Sequence, residues 1–322
     1  MLPAPLLLLA PAALQVSQAW FDPLPRYNFP ADRLAAASPS SPTICYVPGL
    51  DGTNGSPFVQ WPALAEAGYQ IRVQDVRSFE LEPSFDTSVS AVVEYLRGVT
   101  GPALLMGESY GGVVAAAVAL REPALVAGLI LVNPATAFGQ RPGLQADAAK
   151  LRSVPAPLFA AASFALLGRK TFDLGFVANA VKDILVERKL ETLRASDPAL
   201  ARYFDGALGE LMQQVSALPP REFMLDRLEF LRVGCEKVEG ALPSLEPPLL
   251  VIAGTADVLL DSEAEAGRLQ RLLGSERCTV SLVPGAGHAG TLDQRCELPR
   301  VLEQWTAASG VAMGLAKTQS AA

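Results

Sequence analysis

Between Thr43 and Val132, short apolar runs alternate with helix-period segments, and this alternation constrains the fold more than any other feature of the chain. Thr43–Val47, Gln70–Val76, Pro102–Met106 and Gly128–Val132 have the length and branched, apolar character of buried strands. Helical patterns separate them. Pro57–Gly68 opens near a proline and closes on a glycine, Thr87–Arg97 places Val89, Val92, Val93 and Leu96 on one face, and Tyr110–Leu120 follows the third run. Strands joined through helices pair in parallel, because a parallel crossover needs a dozen or more residues. The fold class expected is therefore α/β, a mostly parallel sheet covered by helices on both faces.

The rhythm breaks from Phe138 to Leu245, where helical patterns and an apolar run from Val154 to Leu167 replace strands. It resumes with a strand from Leu249, a helix near Ser262–Leu273, a strand at Cys278–Val283 and a helix near Cys296–Ala307. This predicts one core built from residues 43–137 and 246–310, a helical cap inserted at 138–245 after the strand near 128–132, and a disordered tail at 311–322. Residues 1–42 read as an apolar segment and a linker. Leu6-Leu-Leu-Leu9 followed by Ser17-Gln-Ala19 suits a cleavable targeting leader, whereas the missing basic residues and Pro3, Pro5 and Pro11 suit a frayed apolar tail. Both readings stand. The segment is too short and interrupted to span a bilayer, so peripheral contact is the one membrane association left open.

Half of the 322 residues are hydrophobic, enough for a large core, and the net charge is −7. With Arg and Lys scattered, no basic face is available for nucleic acid. Cys45, Cys235, Cys278 and Cys296 form no Cys-x-x-Cys pair and read as reduced, mostly buried thiols. A single histidine and dispersed carboxylates leave no metal-ligand cluster, and no cofactor motif is found.

His288 is the only histidine, so any mechanism needing an imidazole passes through it. It follows the Val280–Val283 run. Upstream, Gly107-Glu-Ser109-Tyr-Gly111 follows Ala103–Met106, and Gly254-Thr-Ala-Asp257 follows Leu249–Ala253. Strand ends on one edge of a parallel sheet converge, so three residues far apart in sequence can meet. A serine on a strand-to-helix turn, then an acid, then a histidine is the chain order of the α/β-hydrolase triad. Ser109 is the candidate nucleophile, His288 its base and Asp257 the group that holds the imidazole. Asp261 and Asp293 are rivals ranked behind Asp257. Gly107 and Gly111 make room at the turn, and Gly112 permits close helix packing. The backbone N–H groups of Tyr110 and, from the loop Pro48–Gly55, of Leu50 are the candidate oxyanion donors. That loop has three glycines but lacks the Gly-x-x-x-x-Gly-Lys pattern of a phosphate loop. His288-Ala-Gly-Thr-Leu-Asp293 spells a His-x4-Asp acyltransferase motif and reads as coincidence, since only about thirty residues follow it.

Tyr46-Val-Pro-Gly-Leu-Asp-Gly-Thr53, Gly107-Glu-Ser-Tyr-Gly-Gly112, Leu131-Val-Asn-Pro-Ala-Thr136, Leu218-Pro-Pro-Arg-Glu-Phe223 and Ala253-Gly-Thr-Ala-Asp257 together resemble the phytyl ester synthase group of esterase/lipase/thioesterase-type acyltransferases of plastids and cyanobacteria. The resemblance runs from about Thr43 to Trp305 and carries over Ser109, Asp257 and His288. It implies acyl transfer to phytol or diacylglycerol and a plastid or thylakoid-associated setting; without it the location expected is cytoplasmic. Plant-type members carry a second acyltransferase half, so the match is to the hydrolase half. Asp261 stands where the family usually has proline.

The function expected is a serine esterase acting on lipid-derived acyl esters through an acyl-serine intermediate. Leu158, Phe159, Phe164 and Leu167 of the cap are the candidate acyl-chain contacts. An acyltransferase making phytyl or glyceride esters is the second reading, and a non-catalytic binding protein on the same fold is the third. The partner expected is a small acyl ester or lipid; the oligomeric state is not legible.

Overall fold

The computed structural model describes residues 20–34, 41–52, 56–76, 84–163, 190–216, 220–292 and 295–311. Seven strands form one sheet: β1 Trp20–Phe21, β2 Thr43–Val47, β3 Gln70–Gln74, β4 Ala103–Glu108, β5 Gly128–Val132, β6 Leu249–Gly254 and β7 Cys278–Val283. Their order is β1-β3-β2-β4-β5-β6-β7. Every pair is parallel except β1 with β3.

The central strands β2, β4, β5 and β6 are buried on both faces, and period-two alternation assigns their side chains to two cores. Cys45, Val47, Leu105, Leu129, Leu131, Leu249 and Val251 enter one apolar cluster. Ile44, Tyr46, Leu104, Met106, Ile130, Val132, Leu250 and Ile252 enter the other. Helices α3 Phe85–Arg97 and α4 Tyr110–Arg121 close the first face, where Val89, Val92, Val93, Val113 and Val114 are buried. On the second face lie α2 Trp61–Glu66 and a C-terminal helix at Leu298–Ser309, through Trp61, Leu64, Leu302 and Trp305.

Two helices begin later than their sequence patterns predict, both because of proline. The expected Pro57–Gly68 helix is a 3-10 turn at Phe58–Gln60 followed by α2. Pro62 has no N–H to give and is accommodated in the first turn, so the α-helix starts at Trp61. The helix expected from Cys296 starts at Leu298 for the same reason, with Pro299 next.

Residues 20–34, expected as part of the apolar segment and linker, belong to the fold. β1 pairs with β3 as an antiparallel edge, Trp20 stacks on Tyr95 with ring centroids 4.2 Å apart, and Leu24 of the short helix α1 Pro23–Arg26 is buried with Tyr27 and Phe29 after it. The leader reading of residues 1–19 lies outside the described residues, as do positions 35–40 and 312–322 of the linker and tail. All four cysteines are buried and outside disulfides, and burial pushes the Cys45, Cys235 and Cys278 thiols up to about 12.

Within the predicted insertion, the described residues are helical: α5 Pro142–Arg152, α6 Ala156–Ser163, α7 Leu190–Ser196, α8 Pro198–Ser216 and α9 Arg221–Glu239, with α10 Ser262–Leu273 and α11 Leu298–Ser309 following in the core. The insertion reaches both faces of the sheet. Tyr203 and Phe204 of α8 pack in the second cluster, and Leu228, Leu231 and Cys235 of α9 in the first.

Candidate active site

The strand ends on the carboxyl edge of the sheet carry the candidate residues. β4 passes into α4 through Ser109, whose backbone is held at φ 54°, ψ −116°. A non-glycine residue in this region is strained and persists only where its surroundings enforce it. Here the Ser109 N–H donates to Val132 O at 3.0 Å, and its carbonyl accepts from Gly112 N at 3.0 Å and Ala135 N at 3.1 Å. The turn is possible because its neighbours lack side chains. A Cβ on Gly107 would lie 2.3 Å from Gly111 O, and one on Gly111 would lie 2.2 Å from Val47 O. Ser109 itself is half-buried.

Asp257 and His288, expected together, are in contact. His288 follows β7, and its Nδ1 lies 2.8 Å from Asp257 Oδ2. Asp257 is gripped on all sides: Ser262 Oγ donates to Oδ2 at 2.5 Å, and the Leu259 and Leu260 N–H groups donate to Oδ1 at 2.9 and 3.2 Å. Burial alone would push this carboxyl up. The His288 charge and hydrogen bond, with Ser262 and the Leu260 N–H, bring it below the usual carboxylate range instead. Burial works against the His288 cation, yet Asp257, then Glu108 and Asp51, hold the imidazole above its ordinary value. Asp261 is not brought to the histidine. It is 60% exposed and pairs with Arg141 at 3.4 Å. Asp293 lies outside the described residues.

The loop after β2 reaches the elbow because β2 neighbours β4, with Val47 opposite Gly107. A Cβ on Gly49 would sit 3.6 Å from Ser109 Cβ, so the loop after β2 runs beside the nucleophile turn at Gly49. Leu50 is half-buried and Tyr110 buried. Thr53, Asn54 and Gly55 lie outside the described residues.

Of the candidate acyl-chain contacts, Leu158 and Phe159 on α6 differ in burial. Leu158 is 60% exposed and Phe159 is 4% exposed, packed in the same apolar cluster as Tyr110. Phe164 and Leu167 lie outside the described residues.

Two site residues lie inside motifs read from the sequence but were given no role there. Asn133, fully buried at φ 40°, accepts from Gly254 N at 2.8 Å and donates to Gly287 O at 3.2 Å and to His288 O. It therefore ties the ends of β5 and β6 to the histidine loop; a polar residue closing an apolar strand, within the Leu131–Thr136 motif, is its sequence signal. Glu108, just before the serine, is buried and accepts from Tyr46 Oη at 2.7 Å. Ser56 also bonds to it, and Ser56 Oγ lies 2.9 Å from Thr291 Oγ1 in the loop after His288. Burial pushes Glu108 up to about 7, against the lowering effects of Tyr46, Ser56 and His288, while Asp51 adds to the rise. Glu108 and His288 act on each other electrostatically, the carboxylate favouring the imidazolium and the imidazolium the carboxylate.

Comparison with known proteins agrees with this geometry. Residues 64–295 match the family model described as Serine aminopeptidase, S33. Phytyl ester synthase 1, chloroplastic, of Arabidopsis thaliana is 29% identical over 284 residues, covering 87% of this chain and 39% of that protein. The chain thus spans about two fifths of the length of the curated relatives it matches. Among solved structures, MenH from S. aureus superposes with a TM-score of 0.58 at 15% identity, covering 86% of this chain and 97% of its own. MGS-M2, an alpha/beta hydrolase enzyme from a Medee basin deep-sea metagenome library, gives 0.56 at 18%, covering 86% and 91%. With the family model spanning most of the chain and the sheet and elbow in place, the chain belongs to the serine aminopeptidase S33 family of α/β hydrolases.

Proposed function

We propose that the chain is a serine-dependent enzyme acting on acyl esters, with Ser109 as nucleophile, His288 as general base and acid, and Asp257 as the group that orients His288. The observation that carries this reading is the 2.8 Å Asp257–His288 contact on the sheet edge that also presents the strained Ser109 turn. With Nδ1 engaged by a carboxylate, Nε2 is the ring nitrogen that takes the serine proton. Ser109 Oγ attacks the acyl carbonyl, and the oxyanion is met by the Leu50 and Tyr110 N–H groups. Collapse expels the alcohol, protonated by His288, and leaves an acyl-Ser109 ester. Water or a second alcohol, deprotonated by His288, then takes the acyl group and restores the serine.

A lipid-derived acyl group is supported by the phytyl ester synthase relative and by the apolar α6, where Phe159 is the candidate acyl contact among the described residues. Transfer to phytol or a glyceride alcohol is the second reading, favoured by the same relative. That relative is chloroplastic, which supports a plastid location here. Among the described residues no helix is long and apolar enough to cross a membrane.

Purified protein offered galactolipid and acyl-thioester donors, with and without phytol, tests both readings by mass spectrometry of the products. Wild type is expected to release fatty acid or form phytyl ester, and Ser109→Ala to lose turnover by three orders of magnitude or more. Full activity in Ser109→Ala would reject the serine mechanism. Free fatty acid alone, with phytol present, would reject the transferase. Wild type that neither turns over any ester nor is labelled by a fluorophosphonate would leave a binding role in place of both.

A further inference from the structure

Arg227 lies on α9, within the helical insertion, and is 6% exposed. A buried guanidinium is costly unless its donors are used. Here the Arg227 fork is turned onto the main chain of the loop after β2: Nη2 lies 2.8 Å from Gly49 O and 3.5 Å from Pro48 O. Its guanidinium carbon lies over two rings, 4.5 Å from the Tyr110 centroid and 5.1 Å from that of Phe223. One side chain of the insertion therefore touches both places from which the oxyanion donors are proposed to come.

The geometry points to Arg227 as a positioning residue for the oxyanion hole, an inference that rests on the serine reading above. In a trans peptide the C=O and the following N–H point in opposite directions. Holding Gly49 O toward α9, with Gly52 N donating to the same oxygen at 3.0 Å, turns the Leu50 N–H away from that helix. Gly49 itself borders Ser109, so the orientation of this peptide decides whether a donor faces the reacting carbonyl. Stacking on Tyr110 fixes the residue that supplies the other N–H. Lysine could keep the charge, but it has no plane with which to stack and bond at once.

The test compares wild type with Arg227→Met and Arg227→Lys on a soluble p-nitrophenyl acyl ester. It measures kcat, KM and the inhibition constant of a trifluoromethyl ketone analogue, whose hemiketal places an oxyanion in the hole. The expected result for Arg227→Met is a kcat loss of about tenfold to a hundredfold, short of the loss on deleting a donor outright. KM should stay within about threefold, and the inhibition constant should rise in step with the fall in kcat/KM. Arg227→Lys should recover part of the loss, and it carries the test if the Met variant does not fold. Kinetic and inhibition constants matching wild type would overturn the proposal. So would KM rising with kcat unchanged, which marks a substrate-binding arginine, or failure of both variants to fold, which assigns Arg227 to stability alone. Wild type whose Ser109 is not labelled by a fluorophosphonate sinks the serine reading itself; labelled wild type beside indifferent Arg227 variants sinks only this inference.

Discussion

The carboxyl edge of the sheet and the helical insertion hold the site in different ways. At the sheet edge, Ser109, Asn133, Asp257 and His288 follow strand ends whose spacing is set by the ladder, and backbone hydrogen bonds fix each turn. The insertion reaches the site through side chains: Arg227 onto Gly49 O, Tyr203 Oη onto Phe58 O at 2.8 Å, Phe159 in the apolar cluster beside Tyr110. The candidate residues thus stand on strand ends, while the insertion packs into both apolar clusters and meets the site through side chains. Arg227 ties α9 to the loop after β2.

The largest effect should come from cutting the tie within the edge. Asn133→Ala leaves the Gly254 N–H and the Gly287 and His288 carbonyls without their partner, at about 1–3 kcal/mol for each group left unsatisfied. Alanine also keeps an unfavourable left-handed φ. Stability by chemical denaturation should fall by about 3 kcal/mol or more, and turnover by at least tenfold. Unchanged kcat would mean that something other than the sheet edge positions His288, and would break the contrast.

Glu108→Gln is expected to act next, through pH. The wild-type carboxyl is raised to about 7, so between the unfolded value and about 7 the folded state retains a proton that the unfolded chain has released. Stability conferred by the protonated acid is therefore present below the unfolded pKa and lost as pH rises through 7. The Gln variant should match wild type near pH 4 and exceed it at pH 8, by an amount on the order of 2–3 kcal/mol. Glu108 also helps to raise His288, whose neutral form is the base. Its removal should shift the acid limb of the kcat/KM profile to lower pH; a shift upward, or none, would contradict the network.

The smallest effect belongs to Asp261→Asn. Its ion pair with Arg141 is exposed, and asparagine tolerates the left-handed backbone at φ 48°. Stability should change by less than about 0.5 kcal/mol and turnover not at all. A large loss of activity would return Asp261 to the site and displace Asp257.

How much of this was legible in the residues follows from range. The strands, the elbow and the Asp257–His288 pair announce themselves through local pattern and chain order, and each lies where the sheet was expected to bring it. The two-residue β1 carries too little pattern to be read between prolines, so the packing of residues 20–34 came only with the structure. Asn133 and Glu108 sit inside motifs whose other members drew attention, and their roles depend on neighbours more than a hundred residues away or on a buried tyrosine across the sheet. Arg227 is one of many scattered arginines. Nothing local separates it from those on exposed helix faces; only the packing of α9 against the loop after β2 does.

The central claim is that Ser109 carries the acyl group. The direct measurement is intact-protein and peptide mass spectrometry after rapid quenching of wild type and Asp257→Asn with an acyl ester of known chain length, beside Ser109→Ala. The account predicts a mass increase equal to one acyl group on the peptide containing Ser109, present in wild type and absent from Ser109→Ala. Turnover in wild type with no acyl adduct at Ser109, or an adduct that persists in Ser109→Ala, would contradict it.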